Sequence, residues 1–216
     1  MYNKVLSGIL VVLIVAITGT LCYLGYNYYK KIKLNKDADE YLEEFDTLVV
    51  QLKEEEPEPE PEPEQNPTPA PVNNRSIDDN MLWYKGFKVV GKLEMPTINI
   101  RYPILDVITH AKAIEVSVGV LYGPGVNKPG NTVIVGHNYN NGLFFGKNKH
   151  LQVGQKIYIT DIYGNKMEYT IFNKYYTPES DTSYITRQTD GKIEVTLVTC
   201  DRTGANRLVV CARVEQ

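Results

Sequence analysis

Three residues in this chain have the types and the placement that chemistry asks for. In the stretch 192–214, KIEVTLVTCDRTGANRLVVCARV, Ile193, Val195 and Leu197 alternate along one face and the run ends in Thr199-Cys200. A polar, Gly-containing loop follows, and Arg207 opens a second alternating run. This pattern predicts a hairpin or two neighbouring strands, with a thiol and a guanidinium near one rim of a sheet. A nearby cation favours thiolate, the attacking form of cysteine. The same guanidinium can donate to a carbonyl oxygen that turns negative in a tetrahedral intermediate. The third residue, His137, ends the apolar run Thr-Val-Ile-Val-Gly136, where a glycine allows close backbone approach and an imidazole is placed to act as acid or base.

Each of the three also has a blander use. A buried cysteine is usually a small apolar residue, a lone histidine is usually structural, and Arg207 can simply pair with Asp201 or Glu215. His110 and His150 lie in polar surroundings and read as exposed. The chain has three cysteines, too few for a disulfide framework. Cys22 belongs to an apolar segment, and a bond between Cys200 and Cys211 would consume the nucleophile, so none is expected. A net charge of -3 gives no reason to expect nucleic acid as a partner.

The elements that must position these residues follow from the chain taken in order. After a short tail, 1–4, residues 5–25 carry no charge and are long enough to cross a bilayer as a helix. Tyr23, Tyr26, Tyr28 and Tyr29 gather at its end, as interfacial aromatics do. No clean small-x-small cleavage site follows, which favours an uncleaved anchor over a signal peptide. Residues 26–53 read as an amphipathic juxtamembrane helix, with a stripe at Leu34, Ala38, Tyr41, Phe45, Leu48 and Leu52. Residues 54–80 begin EEEPEPEPEPE, which has nothing apolar to bury and cannot form a helix interior; an extended, self-repelling linker or stalk is expected. The remainder, 81–216, is the globular domain. Its candidate strands are 88–95, 97–105, 117–122, 131–136, 155–161, 166–176, 192–200 and 207–214, with helical turns at 110–115 and 143–151. Eight short strands with little helix predict a closed or nearly closed β-barrel.

At this point the residues carry a family resemblance. Thr196-Leu-Val-Thr-Cys200 followed by an arginine opening the next strand, Pro129-Gly-Asn131 leading into Val-Ile-Val-Gly-His137-Asn138, and Gly91-Lys-Leu-Glu-Met-Pro96-Thr-Ile98 together resemble the sortases. The likeness runs over roughly 90–214, in that family's order. It implies an eight-stranded sortase-type barrel and a cysteine transpeptidase that needs no cofactor. By resemblance Cys200 is the nucleophile, His137 the acid/base and Arg207 the partner of the substrate carbonyl and oxyanion. Thr199 matches a position on the floor of the substrate groove, and the backbone N–H of Asp201 is a candidate second oxyanion donor. Asn138, Tyr184 and Ile185 are further substrate-binding candidates, the last two in a segment, 177–185, that lies where the family reads the first residues of its substrate. Some relatives bind calcium near that segment; with no acidic ligand cluster here, no metal is expected.

The implied reaction is cleavage of a C-terminal sorting signal of Leu-Pro-X-Thr-Gly type through a thioacyl-enzyme, resolved by an amine of a peptidoglycan precursor or of a pilin. The implied partners are surface proteins bearing that signal, together with the membrane. The loop between Cys200 and Arg207 carries no inserted helix, and 73–85 lacks an Asp-Pro-aromatic motif. Both favour attachment to the cell wall over pilin polymerisation. The implied location is the cell membrane, single-pass, with a cytoplasmic amino terminus and an extracellular catalytic domain. Lys30, Lys31, Lys33 and Lys36 just after the span pull the other way under the positive-inside tendency; the joint motif outweighs them. A papain-like hydrolase is disfavoured, because there Cys precedes His. A stalked, non-catalytic β-domain for adhesion is the rival from a different class.

Overall fold

The computed structural model describes residues 2–54 and 82–215, so most of the expected linker lies outside the described residues. The chain divides into two compact units, Met1–Asp37 and Ala38–Gln216. The first is helical and belongs to α1 (Tyr2–Glu54). From Val5 onward α1 holds an 18-residue window of mean hydropathy 2.6 with no buried residue, long and apolar enough to cross a membrane. Its hydroxyls are satisfied within the helix: Thr18 donates to the Ile14 carbonyl and Thr20 to that of Ala16, both at 2.8 Å. Such bonds to the carbonyl one turn back satisfy a hydroxyl within its own helix.

In the second unit, the stretch of α1 from Ala38 packs rather than standing alone. Ala38, Leu42, Phe45, Leu48 and Val49 are buried, a helical stripe in which Leu42 takes the place expected for Tyr41. Tyr41 instead sets its ring 5.2 Å from that of Tyr84, and burial pushes its phenol pKa up. The Asp46 carboxylate accepts from Lys92 and, at 2.6 Å, from Arg101, so one helix side chain gathers cations from two strands.

The strands are β1 (Trp83–Tyr84), β2 (Phe87–Met95), β3 (Ile100–Asp106), β4 (Val118–Tyr122), β5 (Gly130–Val135), β6 (Lys156–Asp161), β7 (Lys166–Pro178), β8 (Ile193–Cys200) and β9 (Asn206–Val214). Their order is β1-β2-β3-β4-β5-β8-β9-β7-β6, and a β2–β6 pairing closes β2 to β9 into an eight-stranded barrel with β1 appended to β2. Closure removes the open edges. At the closing seam a Cβ on Gly91 would lie 2.6 Å from the Thr160 carbonyl oxygen, so only glycine fits there. The expected strand 97–105 starts late, at Ile100. Pro96–Ile98 form a 3-10 turn instead, ended by Asn99 at φ 49, a conformation that asparagine tolerates. The two helical turns appear as 3-10 segments, Ala111–Glu115 and Asn148–His150.

Two pairings decide where the site lies. β5 and β8 run parallel, with Val133 opposite Thr196 and Val135 opposite Val198. β8 and β9 run antiparallel, with Val198 opposite Val209 and Cys200 opposite Arg207. Because side chains alternate along a strand, Val133, Val135, Thr196, Val198, Cys200, Val209 and Arg207 share one face. Ile134, Leu197, Thr199, Leu208 and Val210 turn to the other.

Candidate active site

The candidate residues gather at the rim where β5 and β8 end. The parallel ladder continues one step past β5, since the Gly136 N–H donates to the Val198 carbonyl at 3.3 Å. His137 follows directly, at the end of β5 that lies next to the Cys200 end of β8. Two side-chain bonds fasten the strand ends on either side of the histidine: the Thr199 hydroxyl donates to the Gly136 carbonyl at 2.6 Å, and the Asn138 amide to the Cys200 carbonyl at 2.7 Å. The His137 carbonyl accepts from the Phe145 N–H at 3.0 Å, and its ring lies 5.2 Å from that of Tyr139. Glycine is required before it, because a Cβ on Gly136 would sit 2.9 Å from both Phe145 and Val118 side-chain carbons. Gly136→Ala is therefore expected to destabilise the barrel by about 1–3 kcal/mol through overpacking, read as a lowered midpoint of thermal denaturation.

Cys200 is a free thiol of intermediate exposure. Cys211, also free and buried, pairs with Thr196, four positions down β8 from Cys200. Four residues of strand span about 13 Å, well beyond disulfide reach, so the register itself keeps the two sulfurs apart. Burial pushes the Cys211 thiol pKa up. Arg207 does not pair with Asp201 or Glu215. Its Nη2 donates to Glu179 at 2.5 Å and its Nη1 to the Gly204 carbonyl at 3.0 Å. The acidic partner is 66% exposed, so water screens this pair and little holds it shut.

A sortase-domain family model matches residues 93–215, over half of the chain. The chain belongs to the sortase family. Among curated relatives, sortase A of Bacillus anthracis is 27% identical over 114 residues, 52% of each chain. Sortase A of Listeria monocytogenes is 28% identical over 115 residues, covering 53% of this chain and 50% of the relative. The chain thus spans about half the length of the curated relatives it matches. Among solved structures, sortase A from Corynebacterium diphtheriae superposes with a TM-score of 0.51 at 27% identity, over 60% of this chain and 62% of that one. A Clostridium perfringens sortase D5 transpeptidase shares the fold, with a TM-score of 0.56 at 22% identity over 84% of this chain and 98% of the other.

Two sequence-based expectations for this sortase need correction. Thr199 does not line the groove: it is buried, it points to the opposite face from Cys200, and its hydroxyl ties β8 to Gly136. The Asp201 N–H is not an idle donor, since it closes the hairpin loop by donating to the Asn206 carbonyl at 2.9 Å. The Asp201 carboxylate works in the same loop, accepting from Asn206 and Thr203. Those two hydrogen bonds bring its pKa down to about 2.

Tyr184 is buried in a cluster with Val133, Val198, Val209 and Cys211, and Ile185 packs against it. Their carbonyls both accept from the Asn131 amide, at 2.8 and 3.1 Å, so this segment is fastened across the Cys200 face. Arg187, just beyond, donates to the buried Glu194 of β8. Burial pushes the Tyr184 phenol pKa up, while the nearby Arg207 charge opposes that shift. Ile185 also lines a second cleft, with Leu121, Tyr122 and Arg187.

A cleft of about 490 Å³ opens beside Cys200, lined also by Asn138, Lys149, His150, Tyr176 and Arg202. His150 is exposed as expected, but it borders the nucleophile candidate. Nothing in its local sequence signals that, because the 3-10 turn carrying it reaches the rim only through barrel closure. Among the described residues, no cluster of three or more His, Cys, Asp or Glu could hold a metal ion.

Proposed function

We propose that this sortase is a membrane-anchored cysteine transpeptidase that cleaves a C-terminal sorting signal of Leu-Pro-X-Thr-Gly type and transfers the upstream protein to an amine of the cell wall. Cys200 is its nucleophile, His137 its acid/base and Arg207 its oxyanion partner. The observation that supports this reading is the strand register that pairs Cys200 with Arg207 and runs β5, whose end leads into His137, parallel to β8.

The steps follow from that grouping. Cys200 thiolate attacks the threonine carbonyl, and Arg207 donates to the oxygen that becomes negative. For this the guanidinium exchanges an exposed carboxylate, Glu179, for a buried oxyanion, where a hydrogen bond is worth more. His137 protonates the departing amine, leaving a thioacyl-enzyme. An acceptor amine then attacks the thioester and releases Cys200. Tyr184 and Ile185 border the face along which the sorting signal runs. Their fastening to Asn131 supports a groove shaped before substrate arrives, which lowers the ordering cost of binding. The apolar helix supports the anchored layout, with the barrel on the outer side of the cell membrane. Wall attachment is favoured over pilin polymerisation because the loop from Asp201 to Asn206 is short and stitched to itself.

The test is to incubate the full chain in detergent micelles with sorting-signal peptides and amine acceptors, and to identify products by mass. Release of the glycine-containing fragment and ligation of the remainder to the amine are expected. Intact peptide across the whole panel would leave the rival reading, a surface β-domain without catalysis.

A further inference from the structure

Transfer needs two reactants at one sulfur, and the molecule presents two approaches to it. The first is the apolar face of β5, β8 and β9, covered in part by Tyr184 and Ile185. The second is the cleft of about 490 Å³ on the side of the 3-10 turn Asn148–His150. The two differ in charge. The side chains of Lys149, His150 and Arg202 line the second cleft with Cys200, and all three are exposed. Among the described residues none of them has an ion-pair partner. The one acid there, Asp201, is already held by Thr203 and Asn206. Some other cations of the barrel are answered, Lys92 and Arg101 by Asp46, Lys156 by Glu168, Lys166 by Glu94 and Arg187 by Glu194, while Lys88, Lys112, Lys128 and Lys192 have no ion pair among the described residues but do not line this cleft. Two cations without an ion pair, Lys149 and Arg202, and an exposed histidine therefore line one cleft together with Cys200.

We propose that this cleft is the acceptor site and that it takes an amine carrying a carboxylate, such as a peptide with a side-chain amine and a free carboxyl terminus. The proposal rests on the transpeptidase reading above. Two physical effects act together. The carboxylate pairs with Lys149 and Arg202 and accepts a hydrogen bond from His150, which orients the acceptor. The same cations disfavour the ammonium form of the acceptor nitrogen, so the bound amine is more often neutral and nucleophilic. In the transfer step the nitrogen lone pair forms a bond to the thioester carbonyl carbon and the carbon–sulfur bond breaks. The sulfur leaves with the bonding pair, and the proton lost by nitrogen passes by way of His137 to the thiolate. The products are an amide and the free thiol.

The experiment uses the full chain in micelles with a saturating Leu-Pro-X-Thr-Gly peptide and either of two acceptors, Nα-acetyl-lysine or Nα-acetyl-lysine amide. Ligated and hydrolysed products are quantified by mass and normalised to the first fragment released. The carboxylate acceptor is expected to partition into ligated product about three- to tenfold better than the amide, the range that a few exposed charge pairs supply. That preference should shrink as salt is raised. It should fall to parity in the triple variant Lys149→Gln, His150→Gln, Arg202→Gln, and persist in Lys149→Arg. Equal use of both acceptors by the unaltered protein, or a preference that survives the triple variant, overturns the acceptor assignment while leaving the transpeptidase intact. Absence of any released fragment overturns the transpeptidase reading, and the acceptor assignment falls with it.

Discussion

Cys200→Ala is expected to leave a folded barrel that releases no fragment from any sorting peptide. The wild-type side chain is of intermediate exposure at the end of β8 and forms no disulfide, so replacing its thiol by hydrogen removes little packing. Its removal takes away the only atom that can form the thioester, and activity falls to background rather than by a factor. Two measurements check this together. Mass spectrometry of the unaltered protein mixed with peptide should detect an acyl adduct that is missing from the variant. Thermal denaturation of the variant should keep its midpoint close to that of the unaltered protein. Fragment release by Cys200→Ala at a rate comparable to wild type would remove the covalent mechanism altogether.

The second large effect is expected at Arg207. Removing one donor to a developing oxyanion typically lowers the turnover rate by about 100- to 1000-fold, and Arg207→Ala should fall in that range with KM changed much less. Glu179→Gln separates this role from a structural one. If the guanidinium mattered only as the partner of Glu179, the two variants would behave alike. An exposed pair of this kind contributes about 0.2–1 kcal/mol, so Glu179→Gln should change the rate by less than about tenfold. Steady-state kinetics on both variants decide the matter, and equal losses would argue for a purely architectural Arg207.

The sequence was most informative where the backbone period is simple. The eight barrel strands were visible as short runs separated by turn residues, and Cys200 and Arg207 were expected near one rim because one run ends at the first and the next opens at the second. What alternation does not reveal is which strands become neighbours. The parallel β5–β8 pairing joins segments some 60 residues apart, and only barrel closure brings them together. The same long-range pairing explains the misses. Thr199 was assigned to the groove through the family resemblance, although a period of two sends it to the face opposite Cys200. The Asp201 N–H looked available because its partner, the Asn206 carbonyl, becomes an acceptor only once the loop has folded. His150 and Glu179 were passed over for a related reason. Their importance comes from the barrel rim that they reach, not from the residues beside them.

The convergence of Lys92 and Arg101 on Asp46 bears on how this protein should be handled at the bench. A trimmed version started at Met81, the expected start of the globular domain, discards the carboxylate and leaves Lys92 only Glu94, at 3.6 Å. It also strips away the buried Leu42 and Phe45, uncovering greasy surface that invites clumping. Secretion or crystallisation work should therefore retain the stretch from Ala38 onward.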